Sequence, residues 1–92
     1  MQITIRYEAQ ARRAAGVSSE KIELEDSCRV GDCLREVARE HGDPLKPMLL
    51  NDRGDIQPSL LLFKGEVQIG HADATELVDG DTLTIMTPIS GG

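Results

Sequence analysis

Few side chains in this sequence could do chemistry, and most are badly placed for it. Cys28 and Cys33 sit five positions apart. That spacing is wrong for a two-ligand zinc hook, and there is no second pair, so no metal site is expected. In a reducing compartment both are free thiols, and Cys33 falls in an apolar stripe where a structural role suffices. His41 sits at the end of a predicted helix, where a cation is favoured, and His71 lies in a turn. No Ser/His/Asp or Cys/His set shares a plausible site, so no catalytic residue is assigned. Arg53-Gly54-Asp55 reads as a turn. What remains is the stretch Thr-Pro-Ile-Ser-Gly-Gly from Thr87 to Gly92. With glycine at about 7 % of residues, a random chain ends in Gly-Gly only about once in 200. An α-carboxyl group ionises near pKa ~3.5, so Gly92 carries an anionic carboxylate at neutral pH. Gly91 and Gly92 have no Cβ and can enter a channel where other residues would clash. Pro88 ends sheet pairing and projects Ile89 and Ser90, with the two glycines, away from the fold.

The elements that must present this tail follow from periodicity. Gln2–Glu8 alternates with Ile3, Ile5 and Tyr7 on one face, a half-buried strand. Glu20–Glu25 alternates again through Ile22 and Leu24, and the segment between reads as a turn or wide hairpin loop. From Val30 the period becomes helical: Val30, Cys33, Leu34, Val37 and Ala38 form one stripe, opposite Asp32, Arg35, Glu36, Arg39 and Glu40. The helix starts near Ser27–Val30 and stops at His41-Gly42, with Pro44 beyond. A turn is centred on Asn51–Asp55. Ser59–Phe63 is a short apolar strand, turning at Lys64-Gly65 into another through Val67 and Ile69. An Asp-Gly turn then leads into a last strand with Leu83 and Ile85 on one face. The pattern predicts an α+β domain, a mixed sheet of about four to five strands with one main helix packed on one face. Residues 1–86 form the domain and residues 87–92 a flexible tail.

Composition narrows the partners. Ninety-two residues make one domain with a modest core. Tyr7 and Phe63 are the only aromatics, so that core is aliphatic. No apolar run is long enough to span a membrane, and the first residues carry no signal-peptide stretch; the cytoplasm is the expected location. The net charge of −6 argues against nucleic acid as a partner. After Lys64 no Lys or Arg occurs, whereas Glu66, Asp73, Glu76, Asp79 and Asp81 do. This acidic third predicts a basic groove on a partner, with Asp79 and Asp81 near its rim.

The strand and helix order, the Asp79-Gly80-Asp81 turn before the last strand and the terminal Pro-Ile-Ser-Gly-Gly together resemble the β-grasp, ubiquitin-like sulfur carriers of the MoaD/ThiS family. The MoaD-type branch, the small subunits of molybdopterin synthase, is the nearest in pattern. Tyr7–Gly16, Arg29–Val37 and Lys64-Gly65-Glu66 add to the likeness, which spans essentially the whole chain. Lys64 stands where Asn or Asp is common, and the loop around Leu45–Gln57 exceeds that of the thiamine-pathway carriers. The resemblance implies that the terminal carboxylate attacks the α-phosphorus of ATP on a ubiquitin-activating-type adenylating enzyme. A sulfur nucleophile from another protein then displaces the nucleotide, leaving a thiocarboxylate on Gly92. The sulfur passes to an acceptor such as the large subunit of molybdopterin synthase, or serves a cysteine-type pathway. The chain itself is then a carrier rather than an enzyme and binds no cofactor. A covalent modifier, joined through Gly92 to lysines, shares the chemistry up to the adenylate.

A one-helix sheet leaves its second face for a partner. Period-two reasoning turns Thr82, Thr84 and Met86 outward. In Ser59–Phe63 it turns Leu61 and Phe63 inward, leaving Leu60 and Leu62 outward. Leu60, Leu62 and Met86 are thus the expected apolar docking patch, with Ile89 following the tail into a partner's groove.

Overall fold

The computed structural model describes residues 1–87. The first strand, β1 (Gln2–Ala9), runs directly into a short helix, α1 (Gln10–Ala15), and returns as β2 (Ser19–Glu23). The long helix α2 (Val30–His41) and a single turn α3 (Lys46–Leu49) cross over to β3 (Leu61–Lys64). After β4 (Val67–Gln68) and a 3-10 turn at Ala72–Ala74, β5 (Thr82–Thr87) follows. The sheet order is β2-β1-β5-β3-β4. β1 and β5 lie side by side in parallel, and every other pairing is antiparallel. This is the β-grasp arrangement the sequence pattern predicts, with all five strands in one sheet. The expected hairpin loop instead contains α1, which terminates in the left-handed backbone of Gly16.

Alternation decides the core. Ile3, Ile5 and Tyr7 of β1, with Leu83 and Ile85 of β5, are buried on one face. The helical stripe Val30, Cys33, Leu34, Val37 and Ala38 is buried with them. Each Leu or Ile removed from water contributes roughly 1.5–3 kcal/mol. Burial pushes the Cys33 thiol up to about 12, so it stays protonated and serves as a small apolar side chain.

The start of α2 is fixed from outside the core. Asp32 reaches back to accept a bond from the Arg29 amide at 2.9 Å, satisfying an orphan donor of the first turn. Arg35 pairs with Asp73 at 2.8 Å and donates to the Gly54 carbonyl at 3.1 Å. Thus the 3-10 turn and the Asn51–Asp55 turn are both tied to the helix. Gly31 is needed for this clamp, because a Cβ there would land on the Asp73 carboxylate. The Asn51 side chain closes its turn by accepting from the amides of Arg53 and Asp55 at 2.9 and 3.0 Å.

Candidate functional site

β5 is the strand that leads into the tail. It is flanked by β1 on one side and β3 on the other, so its direction is held by neighbours along its whole length. Pairing continues to Thr87, which is opposite Ala9 and 7 % exposed; the sheet therefore includes a residue that the sequence pattern assigns to the tail. The predicted tail residues Pro88, Ile89, Ser90, Gly91 and Gly92 lie outside the described residues. Thr87 Oγ1 is buried and has no hydrogen-bond partner among the described residues.

The two ends of β5 differ chemically. At its start, Asp79 accepts from the Gln2 amide at 2.6 Å, and the Gly80 amide donates to the Gln2 carbonyl at 2.9 Å. Asp81 accepts from the Val78 amide at 2.8 Å, and its carbonyl accepts from the Thr4 amide at 3.0 Å. Gly80 takes φ +89°, a backbone that glycine adopts at little cost. Asp79 and Asp81 do flank the last strand as the turn reading expects, but at the end opposite Thr87. Six residues at about 3.3 Å each separate them by roughly 20 Å. The rim position assigned to them by charge alone is therefore not beside the point where the tail departs.

At the other end, Ala9 has φ 56° and ψ −130°, a conformation costing a non-glycine residue about 1–3 kcal/mol. It turns β1 sharply into α1. Ala11 is then buried, and α1 packs on both β1 and β5. Arg12 and Arg13 remain exposed and, with Ala9, Gly16, Val17 and Ser18, line a hollow at this corner.

The open face of the sheet corrects the parity assigned to β3. Leu62 pairs with Ile85 and is 5 % exposed; it belongs to the core. Leu60 is half-buried and packs against the same core. Leu61, 36 % exposed, pairs with Met86, and Phe63 pairs with Thr84. Four consecutive large apolar residues, Leu60–Phe63, carry no alternation, so the sequence offered no phase there; only the register with β5 supplies it. Met86 and the two threonines Thr82 and Thr84 do stand on the outward side. The apolar patch is accordingly Leu61, Phe63 and Met86, bordered by Glu8, which pairs with Met86, and Arg6, which pairs with Thr84.

A polar cluster at the edge of the core was not read from the sequence. The Tyr7 hydroxyl donates to Glu20 Oε2 at 2.5 Å, His41 Nε2 meets the same oxygen at 2.5 Å, and the Tyr7 and His41 rings meet edge-on. Burial pushes the Glu20 carboxyl up, but the bonds from Tyr7 and His41 outweigh it and hold Glu20 below its ordinary range. Burial, with the Glu20 carboxylate beside it, raises Tyr7 strongly. The signal available was Tyr7 on the buried face of β1 with Glu20 on β2; their pairing needed the hairpin register Ile5↔Glu20. The cluster ties β1, β2 and the end of α2 together.

Among the described residues no group of three or more His, Cys, Asp or Glu side chains could hold a metal ion. No helix is long and apolar enough to cross a membrane. The arrangement sets the apolar patch of Leu61, Phe63 and Met86 on the outward face toward the carboxyl end of β5.

Comparison with known proteins agrees with that geometry. The chain is 33 % identical over the full length of both sequences to small archaeal modifier protein 3 of Haloferax volcanii. It is 29 % identical, again over the full length of both, to a molybdopterin synthase sulfur carrier subunit of Chlamydomonas reinhardtii. The crystal structure of SAMP1 from Haloferax volcanii superposes with a TM-score of 0.87 at 21 % identity, covering all of both chains, which shows the shared ubiquitin-like β-grasp fold. The model of the ThiS family matches residues 5–92, and the chain belongs to that family of small ubiquitin-like sulfur carriers and modifiers.

Proposed function

We propose that this chain is a sulfur carrier that works through Gly92. The supporting observation is the placement of β5: a central, fully paired strand whose last described residue precedes Pro-Ile-Ser-Gly-Gly. An adenylating enzyme supplies the ATP site. A carboxylate oxygen of Gly92 attacks the α-phosphorus, pyrophosphate leaves, and an acyl-adenylate forms. Hydrosulfide supplied by another protein attacks the carbonyl carbon, the C–O bond to AMP breaks, AMP departs and the hydrosulfide proton goes to solvent, so that sulfur takes the place of one carboxylate oxygen. The carrier then docks on an accepting synthase through Leu61, Phe63 and Met86, the residues that the strand register turns outward. This chain supplies the acyl group and the docking surface; the enzymes supply catalysis and the nucleotide. The reaction belongs to the cytoplasm.

The 33 % identity with a protein named as a modifier favours a second reading, in which a lysine amine displaces AMP and Gly92 becomes joined to a target protein. Both readings are tested by intact mass after incubation with the adenylating enzyme, ATP and a sulfur source. A carrier gains the mass of a sulfur-for-oxygen exchange on Gly92. A modifier appears as high-mass isopeptide adducts. An unmodified chain under these conditions would sink both readings.

A further inference from the structure

The corner where β5 ends is basic in a chain that is otherwise acidic. Arg6, Arg35 and Arg39 each have a carboxylate partner, and Arg29 is bonded to the Asp73 carbonyl. Arg12 and Arg13 form no ion pair among the described residues. Both are exposed on a helix of six residues that Ala9 folds back toward the end of β5. Val17, a large apolar residue 43 % exposed, lines the same hollow. Two cations with no ion pair among the described residues and an exposed apolar side chain therefore share a hollow with Ala9, the residue opposite Thr87, in a molecule whose net charge is −6. They are not needed to hold the helix. Its cap is a backbone bond from the Gly16 amide to the Arg12 carbonyl at 3.0 Å, and its buried residue is Ala11.

We infer that Arg12 and Arg13, with Val17, form a docking corner for an acidic rim around the mouth of the channel that receives the tail. The inference rests on the carrier reading above and adds the sign and place of the encounter surface. Five extended residues, 88 to 92, could span up to about 17–18 Å, more than an arginine side chain reaches, so on the carrier reading the arginines meet the channel entrance while Gly92 meets the nucleotide. A cation at that position faces the protein surface at the entrance. The complementary charge there is carboxylate, and rim charges of this kind chiefly set the association rate and its salt dependence.

The test uses the full chain and its cognate adenylating enzyme, with stopped-flow association at several ionic strengths and ATP–pyrophosphate exchange at saturating carrier. Arg12→Glu/Arg13→Glu should slow association about tenfold at low salt, converge with the parent chain at high salt, and leave the saturated exchange rate unchanged. Arg12→Lys/Arg13→Lys should retain most of the rate. Lys46→Glu/Arg53→Glu makes the same change in net charge on exposed residues elsewhere, and should stay within about twofold. A thermal melt matching that of the parent confirms that the variants fold. Parent-like association and salt slope in the double glutamate variant would overturn the docking corner while leaving the carrier reading intact. So would a lowered saturated exchange rate with association unchanged, and so would an equal loss in the Lys46/Arg53 control. If the parent chain itself supports no exchange, the carrier reading falls, and the corner with it.

Discussion

The two ends of β5 are built to opposite rules. At Asp79–Asp81 the turn is tied down: two carboxylates accept backbone amides, and two further backbone bonds reach the start of β1. At Thr87 a hydroxyl is buried without a partner among the described residues, Ala9 is strained, and the nearby Arg12 and Arg13 have no carboxylate partner among the described residues. The first end resembles a hinge pin, the second a place where interactions are held in reserve for another molecule. Satisfied local bonds add stability, whereas unsatisfied groups and strain persist only where the surrounding structure over-determines them, and they concentrate at functional positions. The difference is what the carrier proposal expects if the carboxyl end of β5 is the working end of the molecule.

The largest effect that would test this polarity is removal of Gly92. If the far end of the chain carries the function, deleting Gly92 or replacing it with Trp abolishes ATP–pyrophosphate exchange with the cognate adenylating enzyme. The melting temperature stays unchanged, because neither the core nor the turn at Asp79–Asp81 is touched. Undiminished exchange in either variant would remove Gly92 from its assigned role.

Next in size comes the contrast between adjacent leucines. Leu62→Asp buries a carboxylate beside Ile85 and should cost at least about 3 kcal/mol, a large fraction of the stability of a domain this size. Leu61→Asp, one residue away, should shift stability by less than about 0.5 kcal/mol, and Met86→Asp on the same face only a little more. Both should instead weaken binding to the accepting synthase. Urea denaturation and a binding titration together check the pair. A folded Leu62→Asp protein with lost docking would restore the opposite strand phase.

The Tyr7–Glu20–His41 cluster predicts a more moderate effect and a pH signature. Glu20 is held below its ordinary range when folded, so its contribution is fully present above its unfolded pKa of about 4.3 and is lost as pH falls through the lower folded value. Tyr7 is shifted the other way. Its contribution is fully present below its unfolded pKa of about 10 and is lost as pH rises beyond that. Glu20→Gln should cost about 1–3 kcal/mol at neutral pH and flatten the acid limb. Tyr7→Phe should flatten the alkaline limb. Melting temperature across pH 3 to 11, spanning both reference values of about 4.3 and 10, measures both; unchanged limbs would mean that the cluster is merely solvated polar surface.

The contrast between β5's ends also explains what could be read beforehand. Leu83, Ile85, Thr84 and Met86 were assigned to their faces correctly, because the last strand alternates and its neighbours on the central sheet enforce one phase. Val30, Cys33, Leu34, Val37 and Ala38 were legible for the same reason at a period of 3.6. The apolar run Leu60–Phe63 was not, since its facing depends on a register set by residues more than twenty positions away. The α1 turn was also hidden: only six residues long, it depends on the strained backbone of Ala9 and on contacts with two strands. Gly91 and Gly92 enter the proposal on composition and position alone, since both lie outside the described residues. Sign counted along the chain singles out Asp79 and Asp81, whereas the parallel pairing of β1 with β5 puts the β1–α1 corner, with Arg12 and Arg13, at the opposite end of β5.

The smallest expected effect decides between those two charge patches. Asp79 and Asp81 lie roughly 20 Å from Thr87 by strand rise, while the screening length at physiological ionic strength is about 8 Å. Their charges are therefore largely screened from the mouth of any channel that receives the tail. Asn at both positions keeps a side-chain oxygen able to accept from the Gln2 and Val78 amides, although a neutral acceptor is weaker than a carboxylate. Asp79→Asn/Asp81→Asn should thus lower stability by about 1 kcal/mol or less. Its association rate with the adenylating enzyme and the slope of that rate with ionic strength should match those of the parent chain. Stopped-flow binding at several salt concentrations is the measurement. A flattened slope in the asparagine variant would show that the partner covers both ends of β5, extending the docking surface along the whole strand instead of confining it to the corner at Arg12 and Arg13.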